Sequence, residues 1–221
     1  MPHTSSIRSL APLPRSFYSR DPREVARELL GKLLIRRDGR TLLAGRIVEA
    51  EAYLGAVDPG AHSYRGRTPR NAVLFGPPGH AYIYFIYGNH YCTNASCRHT
   101  GESGGVLLRA LEPVSGIAQM AALRNITLPP DPRPSQLRLL TSGPGCLSQA
   151  LAITRAEHND ADLCSAASGL YIADDGSSAP PSLATPRINV TSAPHDLWRY
   201  IIPGNPFVSG PRAINSPSSH P

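Results

Sequence analysis

Lysine is nearly missing from this sequence: Lys32 is the only one among 22 basic residues, the rest being arginine. One lysine leaves little scope for Schiff-base chemistry, whereas arginine offers a planar, permanently charged fork suited to phosphate. Cysteine is sparse as well. Cys92, Cys97, Cys146 and Cys164 form no C-x-x-C pair and no tight cluster with histidine, so neither a disulfide framework nor a metal site is expected. Tryptophan occurs once, at Trp198. Long apolar runs are lacking too. No stretch approaches the ~20 residues of a membrane span, and Met1 to Arg20 lacks the apolar core of a secretory signal. Together these absences predict a cytoplasmic protein with reduced thiols and no membrane association.

The net charge is +6 over 221 residues. That length suits one domain with a real core, and the sign favours a polyanion such as nucleic acid. Residues 1–15 and 210–221 read as flexible tails around a domain over residues 16–209. Asp21-Pro22-Arg23-Glu24 supplies an N-cap, a proline at the first helical position and a glutamate at the third, which predicts a short helix ending at Gly31. Lys32 to Arg36 and Thr41 to Leu54 read as strands joined at the Asp38-Gly39 turn. Gly105 to Leu111 reads as a buried strand broken by Arg109. A lone buried guanidinium is costly, so Arg109 either ends the strand at the surface or meets an acid such as Glu51. Val114 to Leu123 has helical spacing, and Pro129 to Pro134 is too proline-rich for regular structure. Thr141 to Pro144 opens a helix. Leu170 to Ala173, Arg187 to Val190 and Trp198 to Ile202 read as short strands.

Chemistry concentrates between Arg46 and Asn94, a window holding six of the nine tyrosines. Alternation along Val48-Glu49-Ala50-Glu51-Ala52-Tyr53 has period two, so a strand there puts Glu49, Glu51 and Tyr53 on one face. After the Gly76-Pro77-Pro78-Gly79 turn signal, Tyr82 and Tyr84 share one face while Ile83, Phe85 and Tyr87 take the other. Between these runs Arg65, Arg67 and Arg70 lie in a polar loop fitted to grip phosphates. Two readings compete on residues alone. Glu49 and Glu51 could act as acid and nucleophile on a carbohydrate, against which the single Trp198, remote from this window in sequence, counts. Alternatively, the arginines and tyrosines could form a non-catalytic stacking platform for nucleic acid, for which a central carboxylate has no use.

The segments RIVEAEAYLG, AHS, TPRN, YIYFIYG, YCTN, VLLRALEP, SGPGC, QALAI and NPFVS occur in an order that resembles the alkyladenine (3-methylpurine) DNA glycosylase family from Ser16 to Ser209. The resemblance implies an α+β fold: a single mixed domain with a curved, mainly antiparallel sheet, flanking helices and a protruding β-hairpin. It implies a monomer that excises alkylated or deaminated purines from double-stranded DNA without metal or cofactor. Carried over by position, Glu51 is the general base that activates water against the sugar C1′, with Arg109 and the main-chain carbonyl of Val208 as the water's other contacts. Tyr53, His62 and Tyr84 stack on and hydrogen-bond the flipped base, and Asn94 forms a floor that disfavours the guanine amine. Tyr87 fills the gap left in the duplex, and Arg65, Arg67 and Arg70 meet the DNA backbone. Two departures stand out. Asn89-His90 follows the hairpin-tip glycine where many relatives have Met-His or Met-Tyr, and Pro203 stands where relatives often carry a basic residue.

Overall fold

Thirteen consecutive residues, Thr41–Tyr53, form the longest strand, β2, and the sheet is built around it. Strand β1 (Leu33–Asp38) pairs with its first half, β8 (Arg199–Ile201) pairs further along the same edge, and β5 (Gly105–Ser115) takes the other edge. All these pairings are antiparallel. Beyond β5 lies the hairpin of β4 (His90–Ser96) and β3 (Ala81–Ile86), while β6 (Leu170–Ala173) pairs with β1 and β7 (Leu183–Thr185) with β8. The computed structural model describes residues 7–86, 88 and 90–210. With its helices it is a mixed α+β domain, as the resemblance implied.

Helices cover one face of this sheet. After the short α1 (Arg15–Tyr18), α2 (Pro22–Glu28) starts where the sequence placed it: the Asp21 carboxylate accepts the Arg23 N–H at 2.9 Å and Pro22 takes the first turn,. Its Val25 and Ala26, with the following Leu29, pack on Ala50, Ala52, Val106 and Leu108 from the inner face of β2 and β5. Each fully buried leucine in this layer contributes roughly 1.5–3 kcal/mol. The opposite parity of β2 is thereby left to Glu49, Glu51 and Tyr53.

The chain departs from its sequence reading in four places. Ile7 and Leu13 are buried, and the Leu13 N–H donates to the Ile172 carbonyl at 2.8 Å, so packed structure begins ahead of Ser16. Pairing with β2 carries β5 to Ser115, and α3 (Ile117–Leu123) begins only after Gly116 turns the chain at φ 79°. A helix, α4 (Pro134–Thr141), follows the proline run because Pro134 takes a first-turn position, where its missing N–H costs nothing,. Arg187 to Val190 forms no strand; it turns, with Asn189 at φ 61°, and the pairing segment is β7, just before it. Helix α5 (Pro144–Ala150) lies over β4 and β5, and α6 (Arg155–His158) is capped by Thr154.

Candidate active site

Glu49 and Glu51 project from the face of β2 that period-two alternation assigns them, and both are fully buried. Arg109 reaches them through a pair of compensating irregularities. Between Ile47 and Glu49 the extra residue is Val48 on β2; between Glu49 and Ala50 it is Arg109 on β5. Such bulges re-aim a side chain, and here the guanidinium meets both acids: Nε lies 3.0 Å from Glu49 Oε1 and Nη1 3.3 Å from Glu51 Oε2. Of the two fates open to Arg109 in the sequence, the ion pair is the one realised.

The two carboxylates differ in their donors. Glu49 accepts from Arg109 Nε, Arg199 Nε (2.7 Å), Ser209 N (2.7 Å) and Ser209 Oγ (2.9 Å). Burial alone would raise its pKa, but Arg109 and Arg199 outweigh burial and hold it below the ordinary carboxylate value,. Glu51 accepts the Tyr53 hydroxyl at 2.9 Å, Arg109 Nη1, and the Ile188 N–H at 2.8 Å. For Arg109, burial favours loss of charge, yet Glu51 and Glu49 prevail and raise its pKa.

Beside this cluster opens a cavity of about 440 Å³ lined by Tyr53, His62, Tyr82, Tyr84, Asn94 and Arg109 among others, a size ordinary for small-molecule sites. Hairpin register places Tyr82 opposite Asn94 and Tyr84 opposite Cys92, which brings their side chains to one face. His62 Nδ1 is 3.1 Å from the Tyr82 hydroxyl, and its ring meets Tyr84 edge-on at 4.5 Å. Partial burial first, and then the nearby Arg70, lower the His62 pKa,. Burial also drives the Tyr53 and Tyr84 hydroxyls far above the ordinary phenol value, reinforced by Glu51 for Tyr53 and by Cys92 for Tyr84. Both remain protonated donors with intact ring faces.

Not every residue singled out in the sequence meets at this cavity. The Val208 carbonyl accepts from Arg138 Nη2 at 2.9 Å, and it is the next residue, Ser209, that binds Glu49. Arg65, Arg67 and Arg70 are exposed on their loop, with Arg70 Cζ 5.8 Å from the Tyr84 ring centre. Tyr87 lies outside the described residues. Among those described, no group of three or more His, Cys, Asp or Glu could hold a metal ion.

The structure adds residues to which the sequence assigned no role at this pocket. His90, Cys92 and Leu107 line the cavity, as do the turn Ile188–Val190 and the helix start Gly143–Cys146. Beneath that turn Arg187 and Asp58 form a bidentate pair, both fully buried. Trp198 lies close to the site in space, for the Arg187 guanidinium sits 4.8 Å from its ring and 4.6 Å from that of Tyr53. Trp198 is absent from the cavity wall, so its nearness supplies no carbohydrate platform.

Comparison with known proteins bears on this arrangement. The family model described as methylpurine-DNA glycosylase matches residues 16–206. Relatives that carry the provisional name 3-methyladenine DNA glycosylase include one from Koribacter versatilis, 59% identical over 95% of this chain and 99% of its own. One from Burkholderia lata is 50% identical over 91% and 92%, and one from Methanocella arvoryzae 44% identical over 89% and 95%. With the family model spanning residues 16–206 and these relatives matching at nearly full length, the chain belongs to the methylpurine-DNA glycosylase family.

Proposed function

We propose that this protein receives an alkylated or deaminated purine, turned out of duplex DNA, in the cavity beside Glu51, and that Glu51 activates the water that displaces the base from C1′. One observation carries the reading. The three donors to Glu51 come from Tyr53, Arg109 and Ile188, each of which lines the cavity, whereas Glu49 accepts also from Arg199 and Ser209, which do not. Of the two acids, Glu51 is therefore the one held against the cavity wall.

The chemistry follows from that difference. Water oxygen bonds to C1′ as the glycosidic bond breaks, its electrons leaving with the purine, and the water proton passes to Glu51. A base made cationic by alkylation departs neutral. Until then its charge is favoured by the faces of Tyr53 and Tyr84, at about 0.5–2 kcal/mol for such contacts. Oxocarbenium character at the sugar is offset by Glu51, while Glu49 balances the charge of Arg109. Glu49, held ionised between two arginines, is unsuited to be the acid of an acid and nucleophile pair, which disfavours carbohydrate hydrolysis.

Glu51→Gln tests the proposal. The amide keeps the shape but accepts no proton, so duplex binding is expected to persist and release of hypoxanthine to fall at least about 100-fold, the low end of general-base contributions. Base release at a near wild-type rate by this variant would remove Glu51 from the mechanism.

A further inference from the structure

We propose that the buried Asp58–Arg187 pair is the positioning element for the catalytic base: it fixes the turn whose Ile188 N–H orients Glu51. The inference rests on the assignment of Glu51 as base. Arg187 Nη1 and Nη2 donate to Asp58 Oδ2 and Oδ1 at 2.7 and 2.8 Å, and Nη1 also donates to the Ala52 carbonyl at 3.1 Å. One guanidinium thus ties together the loop after β2, the β2 backbone between Glu51 and Tyr53, and the Tyr53 ring. The next residue along, Ile188, gives its N–H to Glu51 Oε1 at 2.8 Å.

Asp58 is held equally firmly. Its Oδ2 accepts the Leu54 N–H at 3.0 Å and its Oδ1 the Gly60 N–H at 2.9 Å. At Gly60 a Cβ would lie 2.7 Å from Val190 Cγ1 and 3.0 Å from Arg187 Nη2, so loop and turn press together with no room for a side chain. Stability alone does not call for such a pair, because well-packed apolar residues of similar volume often replace buried ion pairs without loss. What apolar residues do not supply is direction. A bidentate fork fixes the orientation of both partners, and the orientation is passed to the N–H that holds the base.

Two variants test the pair in full-length protein. The double substitution Asp58→Asn with Arg187→Met removes both charges while keeping volume, which avoids leaving one buried charge unpaired. Ile188→Pro deletes the N–H on Glu51 and leaves the pair. Single-turnover release of hypoxanthine is expected to fall roughly 10- to 100-fold in either, the scale of one hydrogen bond to a charged group. Affinity for a duplex with a tetrahydrofuran abasic analogue should stay within about 2-fold.

A rate within about 2-fold of wild type in whichever variant retains its melting transition overturns the inference, and so does a matching loss of affinity, which marks a merely structural role. Loss of the melting transition in both variants would also overturn it, since the pair would then hold the fold itself. Glu51→Gln is measured alongside. If that variant is active, the assignment of the base has failed; if it is inactive while these two remain fast, only the positioning role has.

Discussion

Asn94 is held from behind, its Nδ2 donating to the Tyr82 carbonyl at 3.0 Å across the hairpin while the residue lines the cavity. A floor tied to the backbone cannot retreat from a bulky substituent, which is the physical basis for its proposed role against the purine 2-amine. Asn94→Ser shortens the floor and is expected to raise release of undamaged guanine by about 10-fold or more, the scale of one small group in a pocket. Equal guanine release from both proteins would take Asn94 off the specificity list. At this scale the sequence was readable wherever a local period operates. Period two placed Glu49, Glu51 and Tyr53 on one face, and the cost of burying Arg109 reduced its fate to two options. Asp58 and Arg187 escaped because they lie 129 residues apart, and no local pattern marks either.

The β3–β4 hairpin leaves the core before reaching its turn: Ile83 is fully buried, yet Phe85, two residues on and of the same parity, is 46% exposed. The sequence left Tyr87, which lies outside the described residues, open between a core residue and a wedge, and substitution separates the two. Tyr87→Ala should remove a stacking surface worth ~1–3 kcal/mol, or roughly 5- to 150-fold in the flipping equilibrium. The loss is expected to be large for a paired lesion and small for one in a mismatch or single strand. A uniform loss with a lower melting temperature would make Tyr87 structural. Elements with complete local signals, such as α2 with its cap and first-turn proline, were legible. Helix α4 was not, because a proline read as a breaker serves equally as a helix start, and the extent of β5 is decided by its partner β2.

Across the molecule arginine serves two purposes that composition does not separate. Arg109, Arg187 and Arg199 are buried and meet Glu49, Glu51 or Asp58, so their charges are balanced internally and contribute little to an external field. The net +6 must then act through arginines at the surface, and Arg65, Arg67 and Arg70 are exposed on the loop that also supplies His62 to the cavity rim. If each meets one phosphate, duplex affinity falls with salt as their counterions are released, and replacing all three with alanine should flatten the slope of log K against log salt by ~2 to 3 units. Arg70 differs from the other two in lying near the Tyr84 ring, so its single replacement should also weaken capture of the flipped base. The measurement is a salt titration of lesion-containing and undamaged duplex. The triple variant should lose slope equally on both, because phosphate contacts carry no base information, whereas Arg70→Ala alone should lower the preference for the lesion. An unchanged slope in the triple variant would mean that this loop faces away from the DNA, and the binding surface would have to be sought among other arginines.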